Sequence, residues 1–153
     1  MKRFLLILTL LPAFVSGQVK IAARDTLQAS FLQVRESAAL LEPDVKSGIL
    51  AFYAPDSIRW EYTELPNLQL PPQMLGMIRQ TISGEEQTMS RTFTILWEDK
   101  TMRLKPKNSK IKRFFSEIRI VFANDGVARK VVLIDPNKDQ TTIEFTNLRY
   151  KLQ

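Results

Sequence analysis

Residues 48–63, GILAFYAPDSIRWEYT, constrain the fold more than any other stretch of the chain. Ile58, Trp60 and Tyr62 take every second place, with Arg59 and Glu61 between them. A strand sends alternate side chains to opposite faces, so this run predicts a strand with one apolar face and one wet face. Ala54-Pro55-Asp56 predicts the turn before it, because Pro pre-sets φ and has no N–H for a ladder. Residues 47–54 and 57–64 therefore read as two antiparallel strands.

The same alternation returns further on. Residues 92–97 and 101–105 bracket Glu98-Asp99-Lys100, a tight hairpin. Phe93, Ile95 and Trp97 share one face, and Met102 and Leu104 share one face of the next strand. Residues 118–123 and 128–135 bracket Asn124-Asp125-Gly126, where Gly tolerates the positive φ of a hairpin turn. Residues 141–150 form a last strand. Between the two sets, Pro71-Pro72 can open a helix and Gly84 can stop it. Met74, Leu75, Met77, Ile78 and Ile82 give that helix a Met-rich apolar side. A further helical turn within residues 108–116 carries Ile111, Phe114 and Phe115. The count is about eight strands and two short helices. The fold class expected is α+β, mainly β: a strongly curved antiparallel sheet, an incomplete barrel, covered by short helices.

Residues 1–17 read as a secretory signal. Lys2 and Arg3 precede an apolar run from Phe4 to Val15, and the small residues Ser16 and Gly17 follow. The run is short of the ~20 residues that a membrane span needs. Cleavage is expected between Gly17 and Gln18, leaving residues 18–153 as a single domain. The chain has no Cys, so neither disulfides nor acylation at a cysteine is expected.

The chain also has no His. Ser-His-Asp and Cys-His catalysis, the usual zinc sites and most redox chemistry lack their parts. The carboxylate pairs Glu61/Glu64, Glu85/Glu86 and Asp135/Asp139 fall in or near turns, where acids serve local hydrogen bonds. No enzymatic activity, metal or cofactor is expected. The net charge of +6 includes Lys2 and Arg3 of the leader. A mild basic excess suits anionic lipid head groups or acidic proteins, but it is also ordinary surface chemistry. The five basic residues of the run 105–113 are expected in a solvated loop, and nucleic acid is not an expected partner.

The stretch S-G-I-L…Y-A-P-D-S-I-R-W-E-Y resembles the LolA-type carriers of outer-membrane lipoproteins. So do F-L-Q at 31–33, M-L-G-M-I-R-Q-T-I-S-G at 74–84, L-K-P-K-N-S-K-I-K-R-F-F-S-E-I-R-I-V-F at 104–122 and the closing D-Q-T-T-I-E-F-T-N at 139–147. The likeness is nearest to the shorter members of that family. It implies a monomeric periplasmic carrier that takes the acyl chains of lipoproteins into an apolar cavity. The implied partners are acylated lipoproteins, an ATP-driven transporter that releases them from the inner membrane, and an outer-membrane acceptor. By resemblance and pattern, Leu50, Phe52, Ile58, Trp60, Phe93 and Ile95 line the cavity, and Met74, Leu75, Met77 and Ile78 form its lid. Two rivals are a periplasmic half-barrel regulator that binds a lipoprotein or protein segment, and a paralogue whose interior is filled. An open cavity of several hundred Å³ favours a carrier, and a packed interior favours the paralogue.

Two departures from the family pattern stand out. The strand pair expected after Tyr62 is missing, and Ala54 stands where a lid-holding Arg is expected. The first segment reads two ways. Leu27, Phe31, Val34, Ala38 and Leu41 follow helical spacing, whereas the resemblance implies a helix to about Leu27 and then a strand from about Ala29 to Ser37.

Overall fold

The computed structural model of the protein describes residues 21 and 23–152. The leader and most of the expected N-terminal helix lie outside these residues. The strands are β1 (Arg24–Glu36), β2 (Asp44–Tyr53), β3 (Ser57–Tyr62), β4 (Phe93–Glu98), β5 (Thr101–Pro106), β6 (Glu117–Phe122), β7 (Ala128–Ile134) and β8 (Gln140–Leu152). The helices are α1 (Pro72–Ile82), α2 (Glu86–Thr92) and α3 (Ser109–Lys112). No described helix is long and apolar enough to cross a membrane. The strands form one antiparallel sheet in the order β3-β2-β1-β8-β7-β6-β5-β4, left open between β3 and β4. The fold is therefore mainly β within the α+β class.

Two readings of the first segment are corrected. Arg24 to Leu27 are strand, not helix, and the helical spacing of Leu27, Phe31 and Val34 does not produce a helix. Leu27 and Phe31 are buried on the core side while Gln28 and Leu32 are exposed, which is the strand period. Long ladders on both sides decide it: β1 pairs with β2 from Thr26 to Arg35 and with β8 from Arg24 to Glu36. Tertiary pairing of this extent overrides a local pattern. The sequence of α2 does not announce a helix, because residues 86–92, EQTMSRT, contain one apolar side chain, Met89, and give no periodicity. That one side chain is wholly buried.

Two β-bulges re-phase the sheet around its centre. Between Arg24 and Thr26 the register with β8 slips by one residue, which leaves Asp25 outside and turns Arg24 inward. Between Gln28 and Ser30 the extra residue falls on β8, where Asn147 has a φ of 52°. Ile143 and Phe145 face the core before it, and Leu148 packs against the core after it. Bulges bend the bulged strand and raise its twist. Leu50 on β2 and Ile120 on β6 consequently line one small cleft, although three strands separate theirs. A flat sheet would hold them about 19 Å apart.

Glu117 ties the outer face of β5 and β6. It accepts from Arg103 Nε at 2.5 Å and from Arg119 Nη2 at 3.0 Å. Burial opposes ionisation of Glu117, but the two guanidiniums outweigh it and hold its carboxyl below the ordinary value of 4.5. A depressed carboxyl contributes stability that is present above the unfolded value and is lost as pH falls through the folded one. Glu117→Gln is expected to cost about 1 kcal/mol at pH 7, since both partners are partly in water. Urea titrations at pH 7 and at pH 3 should show the deficit shrinking in acid.

Candidate functional site

The apolar positions of α1 follow helical spacing, and Met74, Met77, Ile78, Thr81 and Ile82 are buried. Pro72 opens the helix, and Gly84, at φ 71°, turns the chain after it. This buried side lies against the concave face of the sheet. Among the described residues no hydrogen bond joins α1 to a strand. Its polar contacts run to its own end and to α2: Arg79 Nη1 to Glu85 Oε2 at 2.9 Å, and Thr81 Oγ1 to Met77 O and Met89 Sδ. α2, by contrast, is tied down. Trp97 Nε1 donates to Glu86 at 2.9 Å, and Lys107 Nζ donates to Ser90 O at 2.7 Å. The Met-rich helix is thus seated by apolar contact, beside a helix that is bonded to the sheet.

Under α1 lies a cleft of about 30 Å³, lined by Leu27, Leu50, Met77, Ile78, Ile82, Phe145 and neighbouring apolar groups, with Arg24 and Thr81 at its polar points. On the other flank of α1, Met74, Met77, Phe93, Ile111, Phe115 and Ile118 line an outer groove of about 240 Å³. Met77 touches both spaces.

Three of the expected residues therefore border the inner cleft: Leu50, Met77 and Ile78. Phe93 and Met74 border the outer groove. Phe52 is buried completely, while Ile58, Leu75 and Ile95 pack against the core from its margin. Trp60 borders neither space and belongs to an aromatic cluster. Its ring stacks on Phe31 at 4.0 Å and 21°, and meets Phe145 edge-on at 6.2 Å. Tyr62 stands edge-on to Phe31 at 5.5 Å and donates its hydroxyl to Gln33 Oε1 at 2.9 Å. Burial pushes the Tyr62 phenol above its ordinary value. Phe31 crosses Gly48, which has no side chain to obstruct it: a Cβ there would lie 2.5 Å from the Phe31 ring and 2.0 Å from the Glu61 carbonyl oxygen. The F-x-Q, the glycine and R-W-E-Y thus converge on one packed cluster.

No family model matches the chain, and no curated protein matches it.

Residues of the cleft that sequence reasoning missed are Arg24, Leu27, Thr81, Val127, Ala128, Val131, Phe145 and Leu148 among others. The β6–β7 turn was foreseen, but not that Gly126 and Val127 would border the cleft. Arg24 could not be placed by alternation, because the bulge at Asp25 reverses its side. The acidic turn at residues 135–139 serves the fold: Asp135 Oδ1 accepts from the N–H groups of Asn137 and Asp139, and Asp139 Oδ2 accepts from Arg35 at 3.4 Å. Among the described residues no group of acids is arranged to hold a metal ion. The basic residues of the run 105–113 are exposed but do not share one loop: Lys105 is on β5, and Lys110 and Lys112 are on α3.

Gly76 lies mid-helix in α1 and borders the outer groove, and a Cβ there would meet nothing within 4 Å. Gly76→Ala is expected to stabilise α1 by about 0.5–1 kcal/mol through helix propensity alone. Thermal denaturation would show the gain as a rise in midpoint.

Proposed function

We propose that this chain is an exported carrier that binds the acyl chains of lipoproteins beneath α1 and delivers them to the outer membrane. One observation carries the reading: a Met-rich helix covers an apolar cleft and, among the described residues, makes no hydrogen bond to the sheet. Such a cover can exchange its own side chains for those of a ligand. Methionine suits that exchange because it is unbranched and repacks around varied partners. Lifting α1 would join the inner cleft to the outer groove, since Met77 stands between them.

Acyl chains need such a place. Each buried CH₂ contributes ~0.8 kcal/mol, so a chain of about fifteen is worth roughly 12 kcal/mol against water. The carrier must match enough of that to accept the chain and little enough to release it. Displacing α1 subtracts its own apolar contacts from the binding energy, which holds the affinity down. In this reading the donor is a membrane transporter and the acceptor lies at the outer membrane.

The size of the inner cleft favours a second reading. Ligand pockets typically hold about 300 Å³ or more, and about 30 Å³ is a nearly filled interior. A paralogue that binds nothing would look the same with α1 seated. Native mass spectrometry of the protein purified from its exported compartment separates the two. The carrier reading expects acylated species on the wild type and their loss in Ala128→Trp, which crowds the cleft from the start of β7. Wild-type protein that carries no acylated species, even when offered an acylated peptide, would leave the filled-interior reading standing.

A further inference from the structure

Arg24 is the one charged residue among the described residues that line the cleft, and its polar partners there are few. It is 2% exposed. Nη1 donates to Ala23 O at 3.2 Å and Nη2 to Asp125 O at 2.8 Å, both of them neutral carbonyls. The Tyr150 ring lies 4.6 Å from the guanidinium carbon, a cation–π contact. Among the described residues no carboxylate pairs with Arg24, and its buried Nε–H has no acceptor. The nearby Asp125 carboxylate is engaged elsewhere, by Tyr150 Oη at 2.5 Å, Val127 N at 3.0 Å and Arg129 Nη2 at 2.7 Å. Those partners hold Asp125 against the burial that opposes its charge, and its carboxyl stays below the ordinary value.

A buried cation with no counter-ion among the described residues is costly, and a buried donor without an acceptor adds to that cost. The bulge at Asp25 creates this situation, because regular alternation would have put Arg24 in water. Bulges that re-aim a side chain are common beside functional sites. The remaining walls of the cleft are almost wholly apolar.

We infer that the cleft is built for an anionic amphiphile: an acyl chain under α1, and a carboxylate or phosphate that meets the Arg24 guanidinium. Arg suits both anions because its planar fork matches their oxygens. This inference rests on the carrier reading for the acyl chain under α1 and departs from it on the head group, since the ester- and amide-linked chains of a lipoprotein bring no anion of their own. Arg24 then sets which amphiphiles are held, and the apolar walls set that they are held at all.

Matched ligands test it. Dodecanoate, dodecyl phosphate, dodecanol and inorganic phosphate would be titrated into the full protein by calorimetry below their micelle concentrations. One charge-assisted pair in a desolvated site predicts at least about tenfold tighter binding of the two anionic amphiphiles than of dodecanol. Arg24→Met should bring that ratio close to one, and Arg24→Lys should restore part of it. The ratio is the decisive readout, since a merely structural role of Arg24 would weaken all three chains alike. If the variants do not fold, the wild-type ratio still decides. Equal binding of dodecanoate and dodecanol overturns the inference and leaves the carrier reading intact. No binding of any chain overturns both. Binding of inorganic phosphate as tightly as dodecyl phosphate overturns the amphiphile in favour of a plain anion site.

Discussion

Trp60→Ala is expected to lower stability by about 4 kcal/mol, within the range for large aromatic truncations in cores. Trp60 is 7% exposed and touches aromatic rings from three other elements or positions: Phe31 on β1, Tyr62 on its own strand and Phe145 on β8. Truncation removes the stacking partner of Phe31 and leaves a void between three strands. Trp60→Glu should be worse, because it puts a carboxylate into a buried aromatic cluster that offers no cation among its rings. Urea unfolding followed by far-UV circular dichroism would measure the first change. Full stability with altered ligand binding would mean that Trp60 faces a ligand space and not a packed cluster.

Gly48→Ala should be nearly as damaging, at about 3 kcal/mol, though it adds only a methyl group. Overpacking in a tight site commonly costs 1–3 kcal/mol. Here the new carbon would meet both the Glu61 carbonyl oxygen, at 2.0 Å, and the Phe31 ring, at 2.5 Å. The ring can rotate away only by leaving Trp60. The carbonyl can move only by opening the β2–β3 ladder, in which Ile49 and Glu61 are partners. Phe31→Leu should therefore rescue Gly48→Ala only in part. Full rescue in a double-mutant cycle would show that the ring alone defines the glycine, and no rescue would place the strain in the backbone.

These two expectations change what the most legible part of the sequence means. The period-2 run of Ile58, Trp60 and Tyr62 was readable as a strand because each apolar residue stands alone between polar ones, with Arg59 and Glu61 on either side of Trp60. The hairpins at Asp99 and Gly126 were readable because both positions carry the positive φ that their residues tolerate. The role of Trp60 was not readable. Alternation says that a side chain faces inward, but not whether it meets another ring or an empty space. Phe31 reaches Trp60 across β2, and only the pairing of Phe31 with Gly48 makes that path open. β1 was ambiguous because 4-3-4-3 spacing satisfies a helix while ladders formed far away in the chain satisfy a strand. Arg24 was invisible for a related reason: a one-residue bulge reverses faces, and no turn residue announces it. Met74, Met77 and Ile78 were legible as one side of a helix, since both the core and a lid require that side to be apolar.

Native-state hydrogen exchange on α1 tests the detachable cover most directly. Its amides would be followed across low, non-denaturing urea concentrations, beside those of β1, β6 and β8. A helix held by apolar contact alone should open by itself, with a free energy well below that of global unfolding and a weak dependence on urea. The carrier account predicts that residues 72–82 exchange through this local opening while the three strands exchange only through global unfolding. Exchange of α1 at the global rate, with the same urea dependence as β1, would contradict it.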